Sequence, residues 1–448
     1  MIHLFWLLAC AKQKIYLQSF EEVWTTVDET YPYEDFSGVD WQEQHDIYEK
    51  KIKKAKDDDT FHLYLDGLLE TLGVSHMSIL PKELYEDESE EVESEEDQIG
   101  DGGPDDNSDV DGDTNSEKNY VEKGWVGLDA RWIEDKLIIT KIHPDMTFPE
   151  DISMKMGLEV THIDGRNIQD FAKRFSNERE RGFAVGRYSI SKFSGDLNET
   201  LSLTLRESDD TDPYKVNLTY QNLNTITSKK QFNLPSSVVQ FDHYVLEEDL
   251  YYVSSNIFLM PIRDQIEEAF QNIVKNQPKG LIIDLRGNPG GFIDLGVFLS
   301  SFIISEKNLD LGTQISRDGT IYLTIYPRLQ SQRYDGSVVV LVDELSASTS
   351  EVVAGGLQEL GRVTVVGQIS AGKALPSMVK NLSNGDRFQY VVADLRTPKG
   401  NQFEENGVVP NVIVERKRMD YIDQRDPELE VAITFLREQS LNTFEQEE

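Results

Sequence analysis

The sequence predicts an α/β protein whose sheet-and-helix core follows a small β domain and a helical N-terminal subdomain. Strand-like and helix-like runs alternate from Phe241 onward, isoleucine, valine and threonine cluster into strand-like runs between residues 120 and 222, and helical spacing dominates before residue 80. With 448 residues the chain exceeds one ordinary core, so two or three domains are expected.

The chain begins "MIHLFWLLAC", an apolar run ending in the single cysteine, Cys10. This run resembles the lipobox of bacterial lipoproteins and is far short of the roughly 20 residues that span a bilayer. Residues 1–10 therefore read as a lipoprotein-type signal with Cys10 the lipid-bearing residue, and a plain apolar N-terminus is the alternative. One cysteine allows neither an intramolecular disulfide nor a thiolate metal site. In residues 11–83, "FEEVWTTVDETY" and "TFHLYLDGLLETL" place apolar residues three and four apart, as helices require.

Residues 86–117 hold sixteen acids and no base, so the segment 84–119 reads as an acidic disordered insertion. Within it "NSDVDGDTNSEK" imitates a calcium loop, but Asn107 and Lys118 stand where an EF-hand needs Asp and Glu, which leaves calcium the lesser reading. A net charge of −37 argues against nucleic acid and against an anionic membrane surface. Membrane association is expected only through lipid on Cys10.

In residues 120–222, "GWVGLDARW", "DKLIITKIH" and "LEVTHIDGRNIQDF" read as strands and turns, with Asp164-Gly165 a hairpin turn. "GLEVTHIDGRNI" resembles a segment of PDZ domains, which bind extended chain ends at a sheet edge and so imply a polypeptide partner. The α/β core follows at 236–417, through "LYYVSSNIFL", "DQIEEAFQNIVKN", "GLIIDLRG", "FIDLGVFLSSFII", "SVVVLVDE", "TSEVVAGGLQELG" and "RVTVVG", and residues 418–448 read as a C-terminal helix and tail.

Sites in open α/β sheets lie at the carboxyl ends of strands. Two loops qualify: residues 286–291, "RGNPGG", and residues 345–350, "LSASTS". The first matches no phosphate-loop spacing, but its glycines offer unobstructed backbone N–H groups, which suits an oxyanion hole. The second brings Ser346, Ser348 and Ser350 to a helix N-terminus; Ser348 with Glu351 also has the spacing of a capping box. None of the seven histidines lies beyond His243 or in a recognised motif, so a serine-histidine pair is not indicated, although a distant histidine can fold in. Lys373, in "VVGQISAGKALPS", has apolar neighbours, and burial can fit a lysine for service as a base.

"DLRGNPGG", "VDELSASTSEVVAGGLQELGRVTVVGQISAGK" and "TPKGNQFEENGVVPNV", in this order, resemble the carboxyl-terminal-processing, or tail-specific, proteases; "YPYEDFSGVDWQ" and "LGVSHMSI" resemble their N-terminal helical domain. The resemblance implies a crotonase-like α/β protease core joined to a PDZ domain and an N-terminal helical subdomain, and a Ser-Lys dyad that needs no cofactor and no metal. It selects Ser348 as nucleophile, since the family serine stands twenty-five positions before the lysine and 373 − 348 = 25. Lys373 is then the general base. The oxyanion donors are the Thr349 N–H and that of Gly290 or Gly291, each such donor contributing about 3 kcal/mol to lowering the barrier. Glu359 falls where some members carry an acid.

The expected activity is hydrolysis of proteins recognised through exposed or unfolded C-termini, in the periplasm or cell envelope. Ser377 replaces a glutamine that in the family helps orient the lysine, and it is the candidate for that supporting role. This departure keeps open the alternative of a catalytically impaired peptide-binding or scaffold protein of the same fold.

Overall fold

The structure, a computed structural model, describes residues 2–82, 122–149, 152–223, 225–228, 236–246 and 249–446. The predicted acidic segment 84–119, with its calcium-loop-like stretch, lies outside the described residues. Three helices open the chain: α1 (Ile2–Thr30), α2 (Trp41–Ile52) and α3 (Asp58–Glu70). Asp40 and Asp57 cap α2 and α3, each accepting the backbone N–H three residues on at 2.9 and 2.8 Å, which satisfies a donor the helix itself cannot. Among the described residues no helix is long and apolar enough to cross a membrane.

These helices do not form a separate body. Phe20, Phe61, Leu65 and Leu68 share one buried cluster with Leu375, Leu382, Phe388 and Val391, from a hairpin far along the chain. A short strand, Ser78–Leu80, pairs antiparallel with that hairpin, Ser78 opposite Gln389 and Leu80 opposite Arg387. Residues 75 and 76, just before this strand, are thereby pinned to the core.

The next unit is an antiparallel sheet of β1 (Leu128–Ile133), β2 (Lys136–Ile142), β3 (Glu159–Ile163), β4 (Thr200–Arg206) and β5 (Tyr214–Thr219), in that spatial order, with a two-residue strand Arg166–Asn167 beside β3. Asp164 and Gly165 turn the chain with φ of 47° and 78°, as a tight hairpin requires. A long helix that the alternating strand pattern does not announce, α4 (Glu178–Phe193), packs Val185 and Phe193 into this unit's core.

The larger sheet runs β6 (Phe241–Leu246), β7 (Leu250–Ser255), β8 (Gly280–Asp284), β9 (Ser337–Val342), β10 (Thr364–Gly367) and a last short strand Val412–Ile413. Only β6–β7 is antiparallel; every later pairing is parallel. The β8 and β9 sequences, "GLIID" and "SVVVLV", are nearly continuous apolar runs because both faces are covered. On one face lie α5 (Ile262–Asn276), α6 (Ile293–Ser300) and α7 (Thr349–Glu359), whose Ile266, Phe270, Leu299, Val353 and Leu357 pack with Leu281, Ile283 and Val340. On the other, α8 (Pro427–Gln446) sets Ala432 and Leu436 against Ile282, Val339 and Leu341. The βα alternation read from the sequence is therefore the architecture observed, with the two candidate loops leaving the carboxyl ends of adjacent strands β8 and β9.

Candidate active site

Asp343, the first residue after β9, organises the serine loop. Its Oδ1 accepts the N–H groups of Gly287 (2.8 Å), Leu345 (3.0 Å) and Ser346 (3.1 Å), so one carboxylate binds the two loops together. Its Oδ2 is paired with Arg131 Nε at 2.6 Å. Burial works to raise this carboxyl, but Arg131 and Arg416 overcome it and hold Asp343 below the usual range.

The three serines are not equivalent. Ser346 and Ser350 are fully buried, and their hydroxyls donate to the carbonyls of Leu285 (2.7 Å) and Asn288 (3.0 Å). Ser348 alone is partly exposed. It caps α7 and stands in capping-box relation to Glu351, but that is an acceptor's role, and its hydroxyl proton is donated to no acceptor among the described residues. With φ 54° and ψ −120°, Ser348 occupies backbone space that costs a residue with a side chain about 1–3 kcal/mol and that persists only where the surroundings enforce it.

Those surroundings are the "NPGG" loop. A Cβ on Gly290 would stand 2.7 Å from Ser348 Cβ and 2.8 Å from Thr349 N, and one on Gly291 would stand 2.2 Å from the Phe258 carbonyl, so both glycines are required by close approach. The Gly290 N–H is donated to Asn288 Oδ1 at 2.9 Å. Of the two predicted glycine donors this leaves Gly291, since its N–H and that of Thr349 have no acceptor among the described residues. The Thr349 hydroxyl donates to the Gly291 carbonyl at 2.8 Å and so ties the end of the "NPGG" loop to the start of α7.

Lys373 lies on the loop after β10. Its peptide is joined to the nucleophile loop on both sides: the Ser348 N–H donates to the Lys373 carbonyl at 2.9 Å, and the Lys373 N–H donates to Glu351 Oε2 at 3.0 Å. Glu351 is fully buried and accepts two more bonds, from Ser370 Oγ and Gly372 N, both at 2.6 Å; burial nevertheless pushes its carboxyl up to about 7. The Lys373 ammonium stands 5.2 Å from the centroid of the Phe183 ring.

Phe183 belongs to α4, and Arg179, Gly182, Phe183 and Gly186 line one face of that helix at i, i+3, i+4 and i+7. Arg179 donates to the carbonyls of Ser370 (2.5 Å) and Glu405 (2.7 Å), Gly182 lies against Glu344, and Gly186 lies against Leu345. One face of α4 thus covers both loops that carry the predicted dyad.

A distant histidine does fold in. His76 Nδ1 is 2.7 Å from Ser75 Oγ, and Ser75 gives its hydroxyl to Glu404 Oε2 (3.0 Å) and its N–H to Glu404 Oε1 (2.8 Å). Buried Glu404 also accepts the N–H of Ala374, next to Lys373, at 3.0 Å. Burial and the nearby Lys373 charge lower the His76 pKa to about 4, so its imidazole is neutral at pH 7.

Comparison with known proteins bears on this arrangement. Residues 249–414 match the family model described as Peptidase family S41, and residues 13–69 match the Tricorn protease C1 domain. The chain carries an S41 peptidase domain. Over 239 residues it is 25% identical to a carboxyl-terminal-processing protease of a Synechocystis species, covering 53% of each chain. Over 171 residues it is 28% identical to the carboxy-terminal processing protease CtpB of Bacillus subtilis, covering 38% of this chain and 34% of that one. The chain spans about half or less of the length of these curated relatives. Its fold is similar to that of a photosystem II D1 C-terminal processing protease, with TM-score 0.55, 20% identity and coverage of 90% of this chain and 93% of that one.

Within the S41 domain two expected supporting residues lie elsewhere. Glu359 ends α7, roughly 16 Å along the helix from Ser348 at the usual rise per residue. There it accepts Lys399 N (2.8 Å) and Asn401 Nδ2 (2.7 Å), a structural clamp rather than a partner of the dyad. Ser377 opens a hairpin strand, where its hydroxyl accepts Gln389 Nε2 at 2.9 Å; no hydrogen bond joins it to Lys373 among the described residues. The segments "LGVSHMSI" and "NQFEENG" resemble the family, but the sequence alone gives His76 and Glu404 no role. The available signal was a histidine beside a serine in one segment and a buried glutamate in the other, and only the fold brings them together.

Proposed function

We propose that this chain is a serine endopeptidase of the carboxyl-terminal-processing kind, with Ser348 as nucleophile and Lys373 as general base. The observation that carries the reading is the setting of Ser348: among the described residues it is the one serine of its loop whose hydroxyl proton is unassigned, and the "NPGG" loop comes so close that a Cβ on Gly290 would stand 2.7 Å from Ser348 Cβ and 2.8 Å from Thr349 N. Ser348 Oγ attacks the scissile carbonyl and its proton passes to the Lys373 side chain, which must act in its unprotonated form. The oxyanion is held by the Thr349 and Gly291 N–H groups, and the protonated base then gives its proton to the leaving amine. Water hydrolyses the resulting ester.

We further propose that the sheet of β1–β5 is a PDZ-type module presenting C-terminal chain ends, and that the mature protein is envelope-associated through lipid on Cys10. Ser348→Ala and Lys373→Ala should each abolish cleavage of unfolded casein; unchanged cleavage by either variant removes that residue from the mechanism.

A second reading assigns the base to His76, and the Ser75–Glu404 bonds favour it. They tie down Nδ1 and leave Nε2 as the nitrogen that takes the proton, in the manner of an imidazole oriented by a third group. His76→Ala decides between the two. Loss of cleavage in His76→Ala with retention in Lys373→Ala moves the base to histidine, and the reverse keeps it with lysine. Peptide binding without cleavage in the wild type would instead identify a binding protein on a peptidase fold.

A further inference from the structure

One carboxylate connects the two residues assigned above, and its connections run through backbone rather than through the reacting groups. Glu351 stands in the first turn of α7, and its side chain folds back toward the start of its own helix. Oε2 accepts the N–H groups of both Ser348 and Lys373, each at 3.0 Å. Oε1 accepts Ser370 Oγ and Gly372 N, each at 2.6 Å. Ser370 Oγ in turn accepts the Val408 N–H at 2.6 Å, so a third chain segment is drawn into the same cluster.

A capping-box glutamate needs only one of these bonds, the one to its N-cap residue. The other three reach across to the loop after β10. Neither loop can slide along the other without breaking bonds to a fully buried carboxylate, and a buried acceptor stripped of its donors is costly. Gly372, with φ 67°, lets the backbone approach closely enough for its N–H and that of Lys373 to converge on the two oxygens.

We propose that Glu351 is the positioning residue of the site, fixing the Ser348 and Lys373 backbones relative to each other and holding Ser348 in its positive-φ conformation. The inference rests on Ser348 being the nucleophile. It assigns Glu351 no contact with substrate and no proton transfer. A glutamine of the same shape presents an NH2 group toward two of the four donors, so the loops separate while the helix remains.

The test compares Glu351→Gln and Glu351→Ala with Glu359→Gln, a change at the far end of the same helix and outside the site. Two readouts are used: kcat and KM for unfolded casein, and the rate of labelling of Ser348 by a fluorophosphonate. Expected for both Glu351 variants is at least a tenfold fall in kcat and in labelling rate, with KM within twofold. Glu359→Gln should keep wild-type kcat and labelling even where it lowers the melting temperature.

The proposal is overturned if Glu351→Gln labels and turns over within twofold of wild type. It is equally overturned if the loss resides in KM, or if Glu359→Gln loses as much kcat at equal loss of stability. Should the Glu351 variants fail to fold, Ser370→Ala, which removes one donor, should lower the labelling rate, and an unchanged rate overturns the proposal. Ser348→Ala separates the two levels: full activity in that variant sinks the nucleophile assignment itself. Activity lost there but intact in Glu351→Gln sinks only the role of Glu351.

Discussion

Ser348 is held by residues near it in the chain, whereas Lys373 and His76 meet only because the ends of the chain are folded onto one another. On the serine side, Asp343, Ser346, Ser350 and Glu351 all lie within a few residues of the nucleophile, and the "NPGG" loop comes from the adjacent strand. On the base side, Arg179 and Phe183 come from α4, Ser75 and His76 from the N-terminal unit, and Glu404 from a loop beyond the hairpin. A site half local and half remote has one half fixed by strand and turn geometry. Its other half depends on how the units dock.

Ser348→Ala should have the largest effect, a fall in activity of at least about a thousandfold, as removal of a covalent nucleophile requires. A smaller fall would show that the reacting serine is not the one its own loop holds in place. Gly290→Ala comes next: its Cβ would press on Ser348 Cβ and Thr349 N from a position with φ 98°, and kcat should drop about a hundredfold with substrate binding retained. Steady-state kinetics of the purified variant would check this.

Arg179→Ala probes the remote half. It removes the bonds from α4 to the Ser370 and Glu405 carbonyls, and kcat should fall about five- to tenfold while the serine loop keeps its structure. An unchanged kcat would show that docking of α4 does not set the position of Lys373. Ser346→Ala and Ser350→Ala should act on stability alone. Each removes one of the two donors to a buried carbonyl, and Ser346→Ala also takes the acceptor from the Asp343 N–H, at a cost of about 1–2 kcal/mol, measurable by denaturant unfolding, with activity per folded molecule within about twofold.

The remaining effect is a pH dependence of stability. His76 is lowered from 6.5 to about 4 on folding, so the unfolded chain binds the proton more readily than the folded one. Stability from this residue is therefore present above pH 6.5 and is lost as pH falls toward 4. Unfolding midpoints taken across that range should slope downward on acidification in the wild type, and less so in His76→Gln. Activity gives a matching check, since a His76 base with its pKa lowered to about 4 predicts a rate flat from pH 6 to 8.

What the sequence revealed follows the same division. The strand–helix alternation that forms β8, β9, β10 and their helices was legible because period and strand composition are local quantities, whereas the preference for Ser348 over its neighbours came from the family resemblance and its interval to Lys373. The side chain of Thr349 was not legible: the sequence points only to its backbone N–H, yet its hydroxyl anchors Gly291. Helix α4 escaped because "ERERGFAVGRYSISKF" sits among strand-like runs and buries a face built partly of glycine, which carries no hydrophobic signal. Glu359 misled because its position in the chain matched an acid of the family, while a helix as long as α7 carries it to the far side of the core.

Covalent capture probes the nucleophilicity of Ser348 itself. The full chain treated with a fluorophosphonate, digested and examined by mass spectrometry should carry a single adduct at Ser348, and Lys373→Ala or His76→Ala should slow its formation according to which residue is the base. An adduct at Ser346, Ser350 or any other serine, or no adduct under conditions that label other serine peptidases, would contradict the account.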